Sequence, residues 1–235
     1  MRLSNTEILK ELGKNIFITR AAGDHSPVPT APTLEDFDAT NINLHLGAPL
    51  LVWPDNVEYV VDHRKEHIAE AWKKHGKKFD LSGGKSFTLR KNVKCLAFTQ
   101  EHIALPVGNG NFLTRAASSI VGPIKGTRSY LGHLSNRSWA GRSFIRSAVD
   151  AFELKPGTNN HVTLEIISDF DIELYEGMPF IQVGFERVFG KIFETHGWVH
   201  GQTTPCGGQT PRHAEFGDGI IALHHAAQAR FQPAS

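Results

Sequence analysis

Residues 41 to 47 alternate strictly, Asn-Ile-Asn-Leu-His-Leu-Gly, which puts Ile42, Leu44 and Leu46 on one face of a strand. The glycine at 47 reads as the turn that ends it. Short β-favouring runs recur at 86–89, 94–98, 103–106, 162–167 and 180–185, separated by Gly, Pro and Asn. That cadence predicts a mainly β fold, a sandwich or barrel rather than alternating β and α units. Helical spacing is confined to a few places. Ser4 is a candidate N-cap for a short helix over 4–12, with Ile8, Leu9 and Leu12 on one face. Ile68, Ala71 and Trp72 predict an inserted helix or loop within the charged stretch 62–78, whose basic face reads as solvated. Residues 220–227 predict one more short helix. Residues 21–32, rich in Pro, Ala, Ser and Thr, read as a loop. The segment 195–235, rich in Gly, His, Gln, Thr and Pro, reads as a tail that orders on a ligand or a partner subunit.

The bulk numbers narrow the classes. A chain of 235 residues can bury a substantial core as one large β-rich domain or two small ones. A net charge of +1 with His neutral supplies no global field toward nucleic acid or a membrane surface. No run approaches the roughly 20 apolar residues of a membrane span, and the opening Met1-Arg2-Leu3-Ser4-Asn5 lacks the apolar core of a secretory signal. Cys95 and Cys206 make no disulfide framework, and Cys95, inside an apolar run, reads as a buried small hydrophobe. These features predict a cytoplasmic protein with neither nucleic acid nor membrane as partner.

Two local features carry chemistry. The first is Gly126-Thr127-Arg128-Ser129-Tyr130-Leu131-Gly132-His133, where a guanidinium and a hydroxyl sit side by side on a glycine-flanked turn. That pair suits phosphate oxygens, although an Arg on a turn can also snorkel across a surface. The second is Val162-Thr163-Leu164-Glu165-Ile166, a single Glu in an apolar β-branched strand. A carboxylate is expensive to bury there, so it is either paired structurally or catalytic. Zinc chemistry is not indicated. Pro205-Cys206 precedes His213-Ala214-Glu215, the reverse of the zinc-deaminase order, and a second Cys is missing. The tail histidines His196, His200, His224 and His225 form no ligand set either. No protein-held metal is expected.

In their order along the chain, these motifs resemble the dCTP deaminase and dUTPase superfamily, closer to the deaminases. The match runs through Met1-Arg2-Leu3-Ser4, residues 40–47, Gly84-Lys85-Ser86-Phe87-Thr88-Leu89, Ile103-Ala104-Leu105-Pro106 and Gly177-Met178-Pro179-Phe180-Ile181-Gln182-Val183-Gly184-Phe185-Glu186. The Arg-Ser turn lies between them. The resemblance implies a distorted jelly-roll or β-barrel of the dUTPase-like type over residues 1–194, with an insertion at about 55–80. It also implies a tail over 195–235 that closes on the site or a neighbouring subunit, and assembly as a homotrimer. Further extra segments fall at 108–119 and 134–147. Arg137, Arg142 and Arg146 in the latter either add phosphate contacts or belong to a solvated insertion, the second being favoured.

The implied activity is deamination of dCTP to dUTP and ammonia, with Mg²⁺ carried by the triphosphate. A dUTPase-type diphosphatase and a deoxynucleotide-binding regulator with impaired catalysis are the alternatives. Glu165 takes the place of the catalytic Glu, spaced from Lys155-Pro156-Gly157 as in the deaminases. Ser129, His133 and the backbone carbonyl of Ala151 complete the catalytic group. Arg128, Ser129, Lys155, Gln182 and Gln202 fall at nucleotide-binding positions. Two positions depart from the deaminase pattern. His133 stands where deaminases carry an Arg and agrees with the dUTPase motif, whereas Lys155 stands where the family carries an Asp and cannot accept that residue's hydrogen bond.

Overall fold

The computed structural model describes residues 2–22, 26–30, 32–55, 57–59, 68–108, 127–147, 152–189 and 192. The tail at 195–235, its helix at 220–227, Ala151 and Gln202 lie outside the described residues. The chain opens with helix α1 (Asn5–Glu11), whose first turn is capped by the Ser4 hydroxyl accepting from the Glu7 N–H at 3.4 Å. Gly13 ends it at φ +73°, the left-handed conformation a helix exit favours in glycine.

Strands β1 (Phe17–Ala22) and β2 (Ser26–Thr30) follow, where composition had suggested a loop. The reason lies in topology. β2 is an edge strand, where prolines such as Pro27 and Pro29 are tolerated because no further ladder needs their missing N–H. The 3-10 turn Leu34–Asp36 leads to β3 (Asn41–His45), then β4 (Pro49–Val52), helix α2 (Ile68–His75), β5 (Lys77–Asp80) and β6 (Ser86–Leu89). The predicted runs at 94–98 and 103–106 are one ten-residue strand, β7 (Cys95–Ala104), that carries Gln100, Glu101 and His102 through its middle. Next come β8 (Ser129–Asn136), α3 (Ser138–Arg142), β9 (Ile145–Arg146), β10 (Glu153–Leu154), β11 (Asn159–Ser168), β12 (Ile172–Tyr175) and β13 (Pro179–Val188).

The larger antiparallel sheet runs β2-β1-β7-β11-β9, with β4 pairing the first half of β7 and β5 pairing β4. The smaller runs β10-β8-β13-β3, and β12 pairs with β6. The expected alternation holds in β3, where Ile42 and Leu44 are fully buried. Ile18, Leu50, Ile103, Leu164 and Ile166 from the larger sheet join Ile42, Leu44, Val183 and Phe185 from the smaller in one core. Each such side chain contributes about 1.5–3 kcal/mol through its burial. Cys95 belongs to that core, and burial pushes its thiol up to about 12. No helix among the described residues is long and apolar enough to cross a membrane.

A polar joint crosses between the sheets. Glu101 of β7, only 1% exposed, accepts from Arg20 Nε of β1 at 2.9 Å and from the His45 backbone N–H of β3 at 2.7 Å. Its Oε1 also lies 2.7 Å from His45 Nδ1. Arg20 Nη2 reaches Asp36 Oδ2 at 3.0 Å, and the Thr33 N–H donates to that same oxygen at 2.7 Å. Desolvation pushes the Asp36 carboxyl up, but the Thr33 and Arg20 hydrogen bonds outweigh it and hold it below its ordinary value. A carboxyl depressed by folding stabilises above its unfolded pKa and loses that contribution as pH falls through the folded one. Asp36→Asn is expected to cost on the order of 3 kcal/mol at pH 7, as expected for breaking a buried pair. Denaturant unfolding at several pH values should show that gap narrowing below pH 3.8.

Candidate active site

The Arg-Ser turn is held from three directions. Asn15, beyond the end of α1, accepts through Oδ1 from the backbone N–H groups of Thr127 at 3.0 Å and Arg128 at 3.3 Å. Its own Nδ2 donates to Glu11 Oε2 at 2.8 Å. Glu11 Oε1 receives Arg128 Nη1 at 2.5 Å, and this carboxylate is 1% exposed against 10% for the Arg128 side chain. Burial works against the Arg128 charge, but the hydrogen bond and charge of Glu11 more than offset it and raise its pKa. Tyr130, 1% exposed, sits beside the pair, and desolvation reinforced by Glu11 pushes its phenol well above the ordinary value. On the third side, the Gly108 N–H donates to Ser129 Oγ at 2.8 Å. A hydroxyl that accepts there keeps its own hydrogen for an incoming oxygen.

Arg128 is therefore one half of a largely buried ion pair rather than a side chain lying across a surface. Ser129 is not a turn residue but the first residue of β8, and it too is buried.

Glu165 lies elsewhere. On β11 its side chain shares the exposed face with Thr163, while Val162, Leu164 and Ile166 point into the core. The cost of burial anticipated from its apolar neighbours does not arise in the single chain, because strand alternation turns it outward. Its register partner is Leu96, near the start of β7. The Arg-Ser turn instead meets Gly108, beyond the end of that strand. Leu96 and Ala104 are eight positions apart, roughly 26 Å at about 3.3 Å per strand residue. The two motifs thus attach near opposite ends of β7.

Of the other sequence-predicted residues, His133 lies on β8 opposite Gly184, with Nε2 3.6 Å from the Glu186 carboxylate. Gln182 on β13 donates through Nε2 to Asn43 Oδ1 at 3.2 Å. Lys155 is exposed on the turn after β10. That turn is docked by the Gly157 N–H on the Leu105 carbonyl at 2.6 Å. The segment 105–108 consequently touches both the Lys155 turn and the Arg-Ser turn.

Residues 134–147 form regular elements, and Arg142 and Arg146 among them are exposed, in keeping with a solvated segment. The segment supplies the end of β8, α3 and β9, and Trp139 Nε1 donates to the Pro179 carbonyl at 3.2 Å. Leu134, Asn136, Arg146 and Ser147 line a cavity of about 430 Å³ with Phe152 and Ile181. Arg146 pairs with Asp169 at 3.3 Å. Glu11, Asn15 and Gly108 had no signal in the sequence. They sit at a helix end and in loops, and only the long-range pairing reveals them. Among the described residues no group of three or more His, Cys, Asp or Glu could hold a metal ion.

No family model and no curated protein matches the chain. Among solved structures it is similar to 2'-deoxycytidine 5'-triphosphate deaminase from Agrobacterium tumefaciens, with a TM-score of 0.52 and 16% identity over 80% of this chain. The match spans 48% of that protein, about half its length. The EIAV dUTPase is a fainter match, with a TM-score of 0.32 and 11% identity over 47% of this chain and 74% of that one. At the level of fold, the resemblance to the dCTP deaminases read from the sequence motifs is borne out.

Gly108 offers a direct probe of the turn. A Cβ there would lie 2.7 Å from the Arg128 carbonyl carbon and 2.8 Å from its backbone nitrogen. Backbone atoms cannot rotate aside as a side-chain end can. Gly108→Ala is expected to cost about 1–3 kcal/mol, the usual penalty of overpacking. Thermal unfolding of the variant beside the wild type measures it.

Proposed function

We propose that the protein binds a deoxynucleoside triphosphate and deaminates deoxycytidine, converting dCTP and water to dUTP and ammonia. The observation that carries this reading is the Arg128–Ser129 turn, held rigid from three sides with a hydroxyl hydrogen available for donation, on a fold shared with a dCTP deaminase. The catalytic site is assembled between copies in a homotrimer. Glu165, outward-facing on β11, serves the Arg-Ser turn of a neighbour, and the attachment of the two motifs near opposite ends of β7 favours such sharing.

Ser129 and Arg128 grip phosphate oxygens, with Gln182 and Lys155 at the nucleotide margin. Mg²⁺ accompanies the triphosphate and offsets its charge. Glu165 takes a proton from the attacking water and passes it to the ring nitrogen as the oxygen bonds to C4. It then takes the proton of the new C4 hydroxyl and delivers it to the amino group, so that the C4 carbonyl forms as the C4–N bond breaks and ammonia leaves. One carboxylate performs these transfers in sequence. His133 stands beside the reacting group, where its ring orients the carboxylate. Ala151 lends its carbonyl to the water, and Gln202 in the tail closes over the nucleotide.

The decisive assay follows ammonia and pyrophosphate separately for each deoxynucleotide. Ammonia from dCTP is expected. Pyrophosphate from dUTP would establish the diphosphatase instead, and thermal stabilisation by a nucleotide without either product would establish a regulator. Glu165→Gln is expected to lower ammonia release by at least about 10², in keeping with general acid–base catalysis. Ser129→Ala should be similarly impaired, and mixing it with Glu165→Gln should restore part of the activity. Failure of the mixture to recover would count against a site shared between copies.

A further inference from the structure

Two donors converge on one buried carboxylate at the end of α1. Arg128 Nη1 meets Glu11 Oε1 at 2.5 Å and Asn15 Nδ2 meets Oε2 at 2.8 Å, with the buried Tyr130 phenol beside the pair. The Glu11 backbone carbonyl adds a second anchor, accepting from the N–H groups of Lys14 at 3.0 Å, Asn15 at 3.0 Å and Ile16 at 3.1 Å. This places Asn15 where its Oδ1 takes the Thr127 and Arg128 N–H groups. Side chain and backbone of one residue therefore govern both the guanidinium and the peptide path of the turn.

Resting on the reading of that turn as the phosphate-binding element, we infer that Glu11 is a positioning residue of the site, acting on phosphate through Arg128 and Asn15. A carboxylate offers only acceptors, and all of its partners here are donors. It holds Nη1 of Arg128 and thereby fixes the orientation of the guanidinium. Arg128 then meets phosphate as an oriented hydrogen-bond donor whose charge is already balanced within the chain.

Glu11→Gln separates this role from others. The amide keeps the size of the side chain but turns an NH₂ group toward either Arg128 or Asn15, setting donor against donor. Calorimetric titration of the full chain with dCTP and with deoxycytidine reads the contribution of the phosphates. The wild type is expected to bind dCTP far more tightly than deoxycytidine. In Glu11→Gln the dCTP affinity should fall at least about tenfold, as for loss of a charge-assisted hydrogen bond, with deoxycytidine affinity unchanged. Tyr130→Phe removes the hydroxyl beside the Glu11–Arg128 pair at nearly constant volume and should lower dCTP affinity about threefold to tenfold, on the scale of one polar interaction. It decides the matter where Glu11→Gln does not fold.

A folded Glu11→Gln protein with a lower melting temperature but an unchanged dCTP-to-deoxycytidine ratio would overturn the inference and leave Glu11 as framework. Tighter dCTP binding would overturn it too, making Glu11 a competing anion. A wild type that does not prefer dCTP over deoxycytidine would sink the phosphate-binding reading itself, and the inference with it.

Discussion

The structure hangs on a carboxylate that by itself should not be inside. Glu101 lies in the middle of β7 with 1% exposure, at a cost of several kcal/mol for an uncompensated charge. It is tolerated because Arg20, the His45 backbone N–H and the His45 ring surround it. Those partners come from β1 and β3, on different sheets, so satisfying the charge sets how the sheets meet. Arg20 then carries the constraint to Asp36 and the 3-10 turn. Apolar burial supplies most of the stability of such a core, but it is tolerant of sliding. A hydrogen-bonded charge is not, since any shift leaves a buried group unpaired.

Periodicity made part of this legible. The alternation at 41–47 named its buried face correctly, because strand geometry sends neighbours to opposite sides whatever the rest of the chain does. The same rule turns Glu165 outward against its expected burial. Where tertiary pairing decides, the sequence was silent or misleading. Residues 26–30 are a strand because β1 offers an open edge, which their proline content does not reveal. The middle of β7 looked like a break because Gln100, Glu101 and His102 are polar, and their partners lie far away in sequence. Arg128 and Ser129 were visible as a motif. Glu11, which orients the first of them, looked like any polar residue on a short helix.

The fold alone does not choose a reaction, since one scaffold can host many sites. The chemical content lies in local arrangements that the fold keeps apart. The Arg-Ser turn is rigid, paired and almost sealed, whereas Glu165 stands on an open sheet face. These are opposite electrostatic environments. A buried guanidinium with a resident counterion has its geometry settled before a ligand arrives, whereas an exposed carboxylate takes its character from whatever covers it. His133 and Lys155, the two departures from the deaminase pattern, both lie toward the open side of this division.

The pairing of Glu11 with Arg128 also bears on how the molecule is made. The two residues are 117 positions apart, and Arg2 bridges to Glu186 farther on. At about 5–20 residues per second, a ribosome needs roughly 6–23 s between translating Glu11 and translating Arg128. Throughout that interval α1 is a seven-residue helix without the ion pair that holds its end, and a helix that short is marginal alone in water. The helix is thus fixed only after Arg128 has been made. A nascent chain of this protein must hold that helix in reserve until the strand that fixes it has been translated.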